Sequence, residues 1–364
     1  MLRNLKKLPP KKKRIEDAWL TVNRTCNMKC PWCYANNLEE SLETDMDFEK
    51  AKKLVDILVK AGFKHITILG GEPTLYTNLF ELIRYVSEKG IRVTLVTNGI
   101  KLSDQEYCEE LKHSGVETIS ISIKGCSDRE YAAFTNIHKA YTKVMNAIQN
   151  VNFFGIKLSV SFVLTNDIMK NFLDTIIECR KNGATHITLS FCYDFSNIEG
   201  RAGIYSIEQN ILQVLDCFEL MYEKIHETTK GDFRIKQSLP MCAWSDNIIQ
   251  NMEARGQISY TCQVLKQSGL VFDSKLRVIP CNAMHKIVLG EYEVDFSSED
   301  ELEKFLNSEK IDLVYQCFKT LPAKECYRCE KKIKCRGGCI SNWFNFSLEE
   351  FLATKNEYDK QKFR

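Results

Sequence analysis

The chain has 364 residues, enough for one large domain and a smaller one at roughly 100–200 residues per domain. Its 50 basic and 48 acidic side chains nearly cancel, so the charge balance gives no reason to expect nucleic acid or a membrane surface as a partner. The sequence contains neither an apolar run near the ~20 residues of a transmembrane helix nor the apolar segment of a secretory signal. We therefore expect a globular cytoplasmic protein.

Sixteen cysteines are the unusual feature of the composition. Three of them lie within Cys26–Cys33 and four within Cys326–Cys339. Because nothing marks the chain as secreted, a disulfide framework is not expected. Clustered cysteines in an intracellular chain more often bind metal.

After a basic tail at residues 1–16, strand-like and helix-like segments alternate from residue 17 to 230. Apolar residues recur at helical spacing in 47–61 and again from Leu79 to a stop at Gly90, and Ser103 with Glu106 predicts a capping box. This alternation predicts parallel strands joined by right-handed crossovers. The predicted strands are 18–23, 65–69, 91–97, 117–123, 156–165 and 185–192.

The predicted strands have one polar face and one apolar face. In the fourth strand Ser120 and Ser122 alternate with Ile119, Ile121 and Ile123. A parallel sheet covered on both faces, as in a doubly wound fold, would be apolar on both. The pattern favours a partial barrel of six βα units, whose lumen holds a polar ligand and water. Serine and threonine tolerated in a packed core are the alternative.

Three cysteines with the spacing C-x3-C-x2-C directly follow the first predicted strand. Cys26, Cys30 and Cys33 can supply three thiolates from one loop. A [4Fe–4S] cluster has four irons, so three ligands leave one iron open to a small molecule. A zinc site would need a fourth ligand nearby, and none is adjacent.

This motif at the end of a first strand resembles the radical S-adenosylmethionine (SAM) superfamily. The resemblance implies that SAM binds the open iron, that the reduced cluster cleaves SAM to a 5′-deoxyadenosyl radical, and that this radical abstracts a hydrogen atom from the substrate. Later strand ends also resemble the family, although relatives often have Asp in place of Lys124. The implied SAM contacts are Gly70, Gly71, Glu72, Pro73, Thr97, Asn98, Ser122, Lys124 and Arg201.

A second cysteine run, C-x2-C-x5-C-x3-C, lies at Cys326–Cys339. It resembles the SPASM extension of radical SAM enzymes, which binds auxiliary [4Fe–4S] clusters. From about residue 231 the alternation of strands and helices stops, which suggests a linker at 231–261 and a small, irregular, metal-stapled domain at 262–345. An amphipathic pattern predicts a C-terminal helix at 346–364. The implied ligands are Cys262, Cys281 and Cys339 for the first auxiliary cluster, with Cys242 as its possible fourth, and Cys326, Cys329 and Cys335 for the second.

Two departures from that pattern leave the number of auxiliary clusters at one or two. Leu276 stands where the family has a glycine, and no cysteine follows Cys339. The second auxiliary cluster is therefore left with Cys317, a non-cysteine ligand or an open iron as alternatives. A four-thiolate zinc site made by Cys326, Cys329, Cys335 and Cys339 is the competing interpretation.

The resemblance implies modification of a peptide or protein, such as crosslinking, oxidation or epimerisation of a ribosomally made peptide. Only 25 residues precede Cys26, so we expect any leader peptide to be recognised by a separate protein or by the barrel mouth. A flavodoxin or ferredoxin is the expected reductant, and an oxygen-sensitive cluster suggests an anaerobically handled bacterial or archaeal enzyme. The alternatives are a small-molecule substrate and a non-catalytic iron–sulfur or zinc protein.

Cys192 ends the sixth predicted strand, on the same face as Thr188 and Ser190. That face is the expected lumen, at the strand end where α/β barrels build their active sites. A thiol there could donate a hydrogen atom to a substrate radical, which would make the protein an epimerase. A lumen-lining residue without chemistry is the alternative.

Overall fold

The computed structural model describes residues 15–33, 45–191, 207–236, 238–260, 262–344 and 347–362. Residues 1–14 of the basic tail, Cys192 and Arg201 lie outside these ranges, so the roles expected of them stay predictions.

One sheet of eleven strands organises the described chain, in the order β11-β10-β9-β1-β2-β3-β4-β5-β6-β7-β8. Neighbours from β1 to β8 are parallel, β9 is also parallel to β1, and β10 and β11 are antiparallel additions. The strands are β1 Asp17–Thr21, β2 His65–Leu69, β3 Arg92–Thr97, β4 Thr118–Ile123, β5 Lys157–Leu164, β6 His186–Phe191, β7 Phe233–Lys236, β8 Ile258–Ser259, β9 Gly269–Phe272, β10 Arg277–Ile279 and β11 Gly290–Glu291.

Helices follow most of the parallel strands and cover one face of the sheet. In the part of the chain that the structure describes, no helix is long and apolar enough to cross a membrane. The helices are α1 Phe48–Lys60, α2 Leu79–Glu88, α3 Gln105–His113, α4 Asp128–Tyr131, α5 Ala140–Phe153, α6 Asn166–Lys170, α7 Phe172–Lys181, α8 Ile207–Thr229, α9 Asp246–Ala254, α10 Gln263–Lys266, α11 Glu299–Leu306, α12 Glu309–Phe318, α13 Lys324–Arg328, α14 Lys332–Cys335 and α15 Leu348–Lys362.

The six predicted strands and the two-faced pattern are confirmed. Phe162 of β5 points outward, and its ring lies 5.2 Å from that of Phe172 on α7. On the opposite face the hydroxyls of Ser122 and Ser161 meet at 3.1 Å across β4 and β5. The sheet is therefore a partial α/β barrel with an apolar exterior under the helices and a polar lumen.

Residues 231–261 extend the sheet, whereas the sequence suggests a linker. Phe233 and Ile235 of β7 are buried, and the ring of Phe233 packs 6.3 Å from that of Tyr222 on α8. Strand alternation then places Arg234 and Lys236 on the lumen face. The short β7 and β8 escape sequence analysis because four and two residues are too few to show a period.

The predicted capping box at Ser103 and Glu106 is wrong. Asp104 is the N-cap of α3, and its carboxylate accepts hydrogen bonds from the backbone N–H groups of Glu106 and Tyr107. The Ser103 hydroxyl instead donates to Ile100 O at 2.8 Å. Serine and aspartate are both good N-caps, and the preceding turn at Lys101–Ser103 moves the helix start by one residue.

Strands β9 and β10 join the C-terminal part of the chain to the edge of the barrel. β9 pairs with β1 in the register Asp17↔Gly269, and a Cβ on Gly269 would lie 2.2 Å from the Trp19 ring. Leu276, in the turn before β10, has φ 61°, the left-handed conformation that glycine adopts most easily. This geometry explains why a glycine suits that position in related chains.

Candidate active site and cysteine clusters

A cavity of about 280 Å³ opens at the carboxyl ends of the central barrel strands. It brings together the cysteine loop after β1 and the polar ends of β2, β3 and β4, which are separated by up to a hundred residues in sequence. Asn282, which the sequence does not single out, also lines this cavity. The predicted site residues among its lining are Cys26, Cys30, Cys33, Gly70, Gly71, Glu72, Thr97, Asn98, Ser122 and Lys124.

Hydrogen bonds to neighbouring loops fix the cysteine loop. Lys29 N donates to Phe134 O at 2.8 Å, and the Thr135 hydroxyl donates to Asn27 O at 3.1 Å. The Asn98 side-chain amide donates to Asn27 Oδ1 at 2.7 Å. Asn98 thus connects the end of β3 to the loop that presents the three thiols.

Gly70 and Gly71 allow the β2 end to approach the segment before Cys26. A Cβ on Gly71 would lie 2.3 Å from Arg24 O and 2.5 Å from Thr25 O, distances that no side chain tolerates. Gly71 N donates to Asn23 O at 3.0 Å, and Glu72 N donates to Thr25 O at 2.8 Å. These glycines are needed for backbone-to-backbone contact beside the cavity.

The Glu72 carboxylate is 1% exposed and accepts four hydrogen bonds from the protein. Oε1 accepts from Thr74 N, the Thr74 hydroxyl and the Thr97 hydroxyl, at 3.1, 2.7 and 2.6 Å. Oε2 accepts from Asn98 N at 2.7 Å. Burial raises the pKa of Glu72, while these hydrogen bonds lower it. The carboxylate is directed into the protein, and Pro73 begins a buried 3-10 turn behind it.

Burial favours the protonated form of two thiols that line this cavity. Burial raises the pKa of Cys26 to about 11 and also raises the pKa of Cys30, which nearby Lys124 lowers. A metal ligand must be a thiolate, and metal binding displaces the proton. Three soft donors on one short loop, with Lys124 beside them, fit an iron–sulfur cluster with one open iron.

The other candidate ligands fall into two groups. Burial and the neighbouring thiols of Cys339 and Cys262 raise the pKa of Cys281 to about 12. A separate cavity of about 460 Å³ is lined by Cys242, Cys326, Cys329 and Cys335.

This grouping changes two of the sequence-based ligand sets. Cys242 lies with Cys326, Cys329 and Cys335, and not with the first group to which the family pattern assigns it. The four-thiolate zinc set loses Cys339, which neighbours Cys281 and Cys262 instead. Cys317 is exposed on α12 and lines neither cavity.

Across the described ranges, no three His, Cys, Asp or Glu side chains lie close enough together to hold a single metal ion. One tetrahedral zinc requires four sulfurs at ~2.3 Å from a common centre. A [4Fe–4S] cube instead presents separate iron corners to separate thiolates. Cys242 and Cys326 offer thiols around one common cavity.

Asn282 connects the first of these groups to the candidate active site. It follows Cys281 directly, lines the barrel cavity, and accepts a hydrogen bond of 3.2 Å from the Thr21 hydroxyl on β1. Its position next to Cys281 is the only sequence signal that could have identified it.

Comparison with known proteins agrees with this geometry. The profile of the radical SAM superfamily matches residues 20–179, a range that includes the three-cysteine loop and the ends of β2, β3 and β4. Residues 20–179, a little under half of the chain, therefore match the radical SAM superfamily.

Curated relatives in the superfamily match about half of the chain. The AdoMet-dependent heme synthase of Nitratidesulfovibrio vulgaris is 32% identical over 174 residues, 47% of this chain and 47% of that protein. The probable GTP 3′,8-cyclase of Methanococcus maripaludis is 32% identical over 178 residues, 47% of this chain and 58% of that protein. The chain therefore spans about half the length of these relatives.

Solved radical SAM structures match a larger share of the chain at lower identity. Native anSMEcpe with bound AdoMet has a TM-score of 0.67 at 18% identity, covering 94% of this chain and 97% of that one. SuiB of Streptococcus suis bound to the precursor peptide SuiA also has a TM-score of 0.67 at 18% identity, covering 91% and 73%. These matches show that the fold is shared beyond the barrel.

Proposed function

We propose that this radical SAM protein is an enzyme that reductively cleaves SAM and abstracts a hydrogen atom from a peptide or protein. The observation that supports SAM cleavage is the convergence of Cys26, Cys30 and Cys33 with the ends of β2, β3 and β4 in one cavity. When bound, a reduced [4Fe–4S] cluster supplies the electron that breaks the carbon–sulfur bond of SAM.

In this proposal the protein's own residues bind the cluster and SAM and orient them. The three thiolates hold the cluster, and Lys124 offers a positive charge to the SAM carboxylate or to the substrate. The Gly70–Gly71 backbone admits the methionyl part of SAM, while Glu72 holds the ends of β2 and β3 in place through Thr97 and Asn98. Ser122 and Asn98 present polar atoms to the rest of the ligand.

Formation of 5′-deoxyadenosine tests the proposal. Anaerobically reconstituted protein with dithionite and SAM should produce it, and a variant with Cys26, Cys30 and Cys33 changed to Ala should not, although it keeps its auxiliary iron. Cys217→Ala, at an exposed thiol on α8, is the control and should retain the activity. Product formation by the triple variant would show that the assignment of this loop is wrong.

The fold shared with anSMEcpe and SuiB supports a peptide or protein substrate, since both were solved with peptides bound. The similarity to anSMEcpe covers 94% of this chain and so extends into the auxiliary cysteine region. We further propose that Cys262, Cys281 and Cys339, and Cys326, Cys329 and Cys335, serve two auxiliary [4Fe–4S] clusters, with flavodoxin or ferredoxin as reductant.

A small-molecule substrate is the second candidate, because the sequence relatives include a heme synthase and a GTP cyclase. The two candidates can be separated by incubating the reduced protein and SAM with peptides from short reading frames beside its gene, and in parallel with iron porphyrins and GTP. A mass change in a peptide supports the first candidate. Turnover of a porphyrin or nucleotide alone contradicts it.

We keep the hydrogen-donor role of Cys192 as part of this proposal. It applies if the reaction is epimerisation, and not crosslinking or oxidation. If the product is epimerised, Cys192→Ala should still cleave SAM but form no epimer, and product made in deuterated water should gain one deuterium. Full product formation by the Ala variant would favour crosslinking or oxidation.

A further inference from the structure

The cavity around Cys326, Cys329 and Cys335 contains a fourth thiol from a distant part of the chain. Cys242 lies in the 3-10 turn Met241–Ala243, between β7 and α9. It lines the same cavity of about 460 Å³ as the other three thiols. The family pattern expects the fourth ligand downstream of Cys339, and residues 340–364 contain no cysteine.

Specific contacts hold the Cys242 segment against the cysteine run. Met241 N donates a hydrogen bond of 3.2 Å to Cys335 Sγ, the kind of bond that stabilises a cluster-bound thiolate. Cys339 N and the Asn342 side-chain amide both donate to Ser238 O at 3.0 Å. The position of Cys242 beside the run is therefore fixed by the backbone on both sides.

Gly338 makes this approach possible. Its φ is 82°, and a Cβ there would lie 2.7 Å from Ser238 O and 2.8 Å from Pro240 N. The backbones of the two segments are thus in direct contact, three residues from Cys335 and two from Cys242. A side chain at this position would push Cys242 away from the cavity.

Cys317, which sequence analysis offers as an alternative fourth ligand, does not lie beside the cysteine run. It is exposed on α12 and is absent from the lining of the cavity. Among the cysteines that the structure describes, the first group consists of Cys262, Cys281 and Cys339.

We propose that Cys242 is the fourth ligand of the second auxiliary cluster, in place of the downstream cysteine of related chains. This inference rests on the proposed auxiliary clusters. It gives the second cluster four thiolates and leaves three described thiolates for the first. An open iron, if one exists among the auxiliary clusters, then belongs to the cluster beside Asn282 and the barrel cavity.

Alkylation with N-ethylmaleimide tests this in the full wild-type chain, without relying on activity. Cys242, Cys317 and Cys217 are all exposed, so all three should be labelled in iron-free protein. After anaerobic reconstitution, Cys242 should be protected together with Cys326, Cys329 and Cys335, while Cys317 and Cys217 stay reactive. Peptide mass spectrometry measures each site separately.

The other possible results contradict either the role of Cys242 or the second auxiliary cluster itself. If Cys326, Cys329 and Cys335 are protected while Cys242 reacts as fast as Cys317, the inference is wrong and the cluster proposal stands. If none of the four is protected although iron is bound elsewhere, the second auxiliary cluster itself is wrong. As a second measurement, Cys242→Ala should lower the iron and sulfide bound per chain, whereas Cys317→Ala should not, and equal iron in both variants would overturn the assignment.

Discussion

Thr97 at the end of β3 donates a hydrogen bond of 2.6 Å to the carboxylate of Glu72, just beyond the end of β2. The neighbouring Asn98 N donates to the other carboxylate oxygen. One buried carboxyl group therefore connects two strand ends that line the candidate active site. All of these donors and acceptors belong to the protein, so their contribution can be measured on the iron-free protein.

Thr97→Val should destabilise the fold by about 1.5–3 kcal/mol, the range for a hydrogen bond to a charged group. Valine has the same shape but leaves Oε1 of Glu72 without one of its donors. Thr118→Val is a matched control, because Thr118 is half-buried on β4 and has no side-chain hydrogen bond among the described residues. Denaturant unfolding should separate the two variants, and equal stability would show that the bond contributes little.

Gly71→Ala should disrupt the cysteine loop. The added Cβ meets the backbone oxygens of Arg24 and Thr25, and relief of such overpacking typically costs about 1–3 kcal/mol. Because Thr25 precedes Cys26, the reconstituted variant should also bind less iron at the radical cluster. Gly155→Ala is the control, since Gly155 has φ 63° but open space around it. It should lose some stability and no iron.

Lys236 should titrate below an ordinary lysine. It lies on the lumen face of β7, where part of its side chain remains exposed. The surrounding protein partly desolvates the ammonium group and lowers its pKa, and none of the described carboxylates pairs with it. A lowered pKa means that the neutral amine forms at lower pH, so Lys236 should be acetylated at lower pH than a lysine in a reference peptide. The unfolded chain then binds more protons between the two pKa values, and this group's contribution to stability rises with pH across that window. A pKa of Lys236 equal to or above that of the lysine in the reference peptide would contradict this prediction.

Iron removal should expose the auxiliary region to trypsin. Lys331, Lys332 and Lys334 are exposed and lie between the proposed ligands Cys329 and Cys335. Because metal binding is coupled to folding in small metal-stapled domains, chelation should speed cleavage after these lysines. Lys53, exposed on α1 in the barrel, should be cleaved no faster than before. Unchanged protection at the first three sites would count against the clusters.

The radical cluster motif was predictable because its ligands are adjacent in sequence and the ends of parallel strands meet at one edge of a sheet. The position of Cys242 beside Cys326, Cys329 and Cys335 could not be predicted in this way. It depends on a backbone contact at Gly338 that no local sequence pattern encodes. The N-cap at Asp104 was missed for a different reason. Ser103 and Asp104 compete for the same role, and only the geometry of the preceding turn decides between them.

The pairing of β1 with β9 has a consequence for synthesis of the protein. β1 is made early, but the strand that covers its outer edge begins at Gly269, so that edge has no partner for on the order of tens of seconds of translation. An uncovered strand edge can pair with other chains. Nascent or prematurely ended chains should therefore aggregate through β1, directly beside the Cys26 loop. Early binding by a chaperone would favour a soluble product more than a faster supply of iron would.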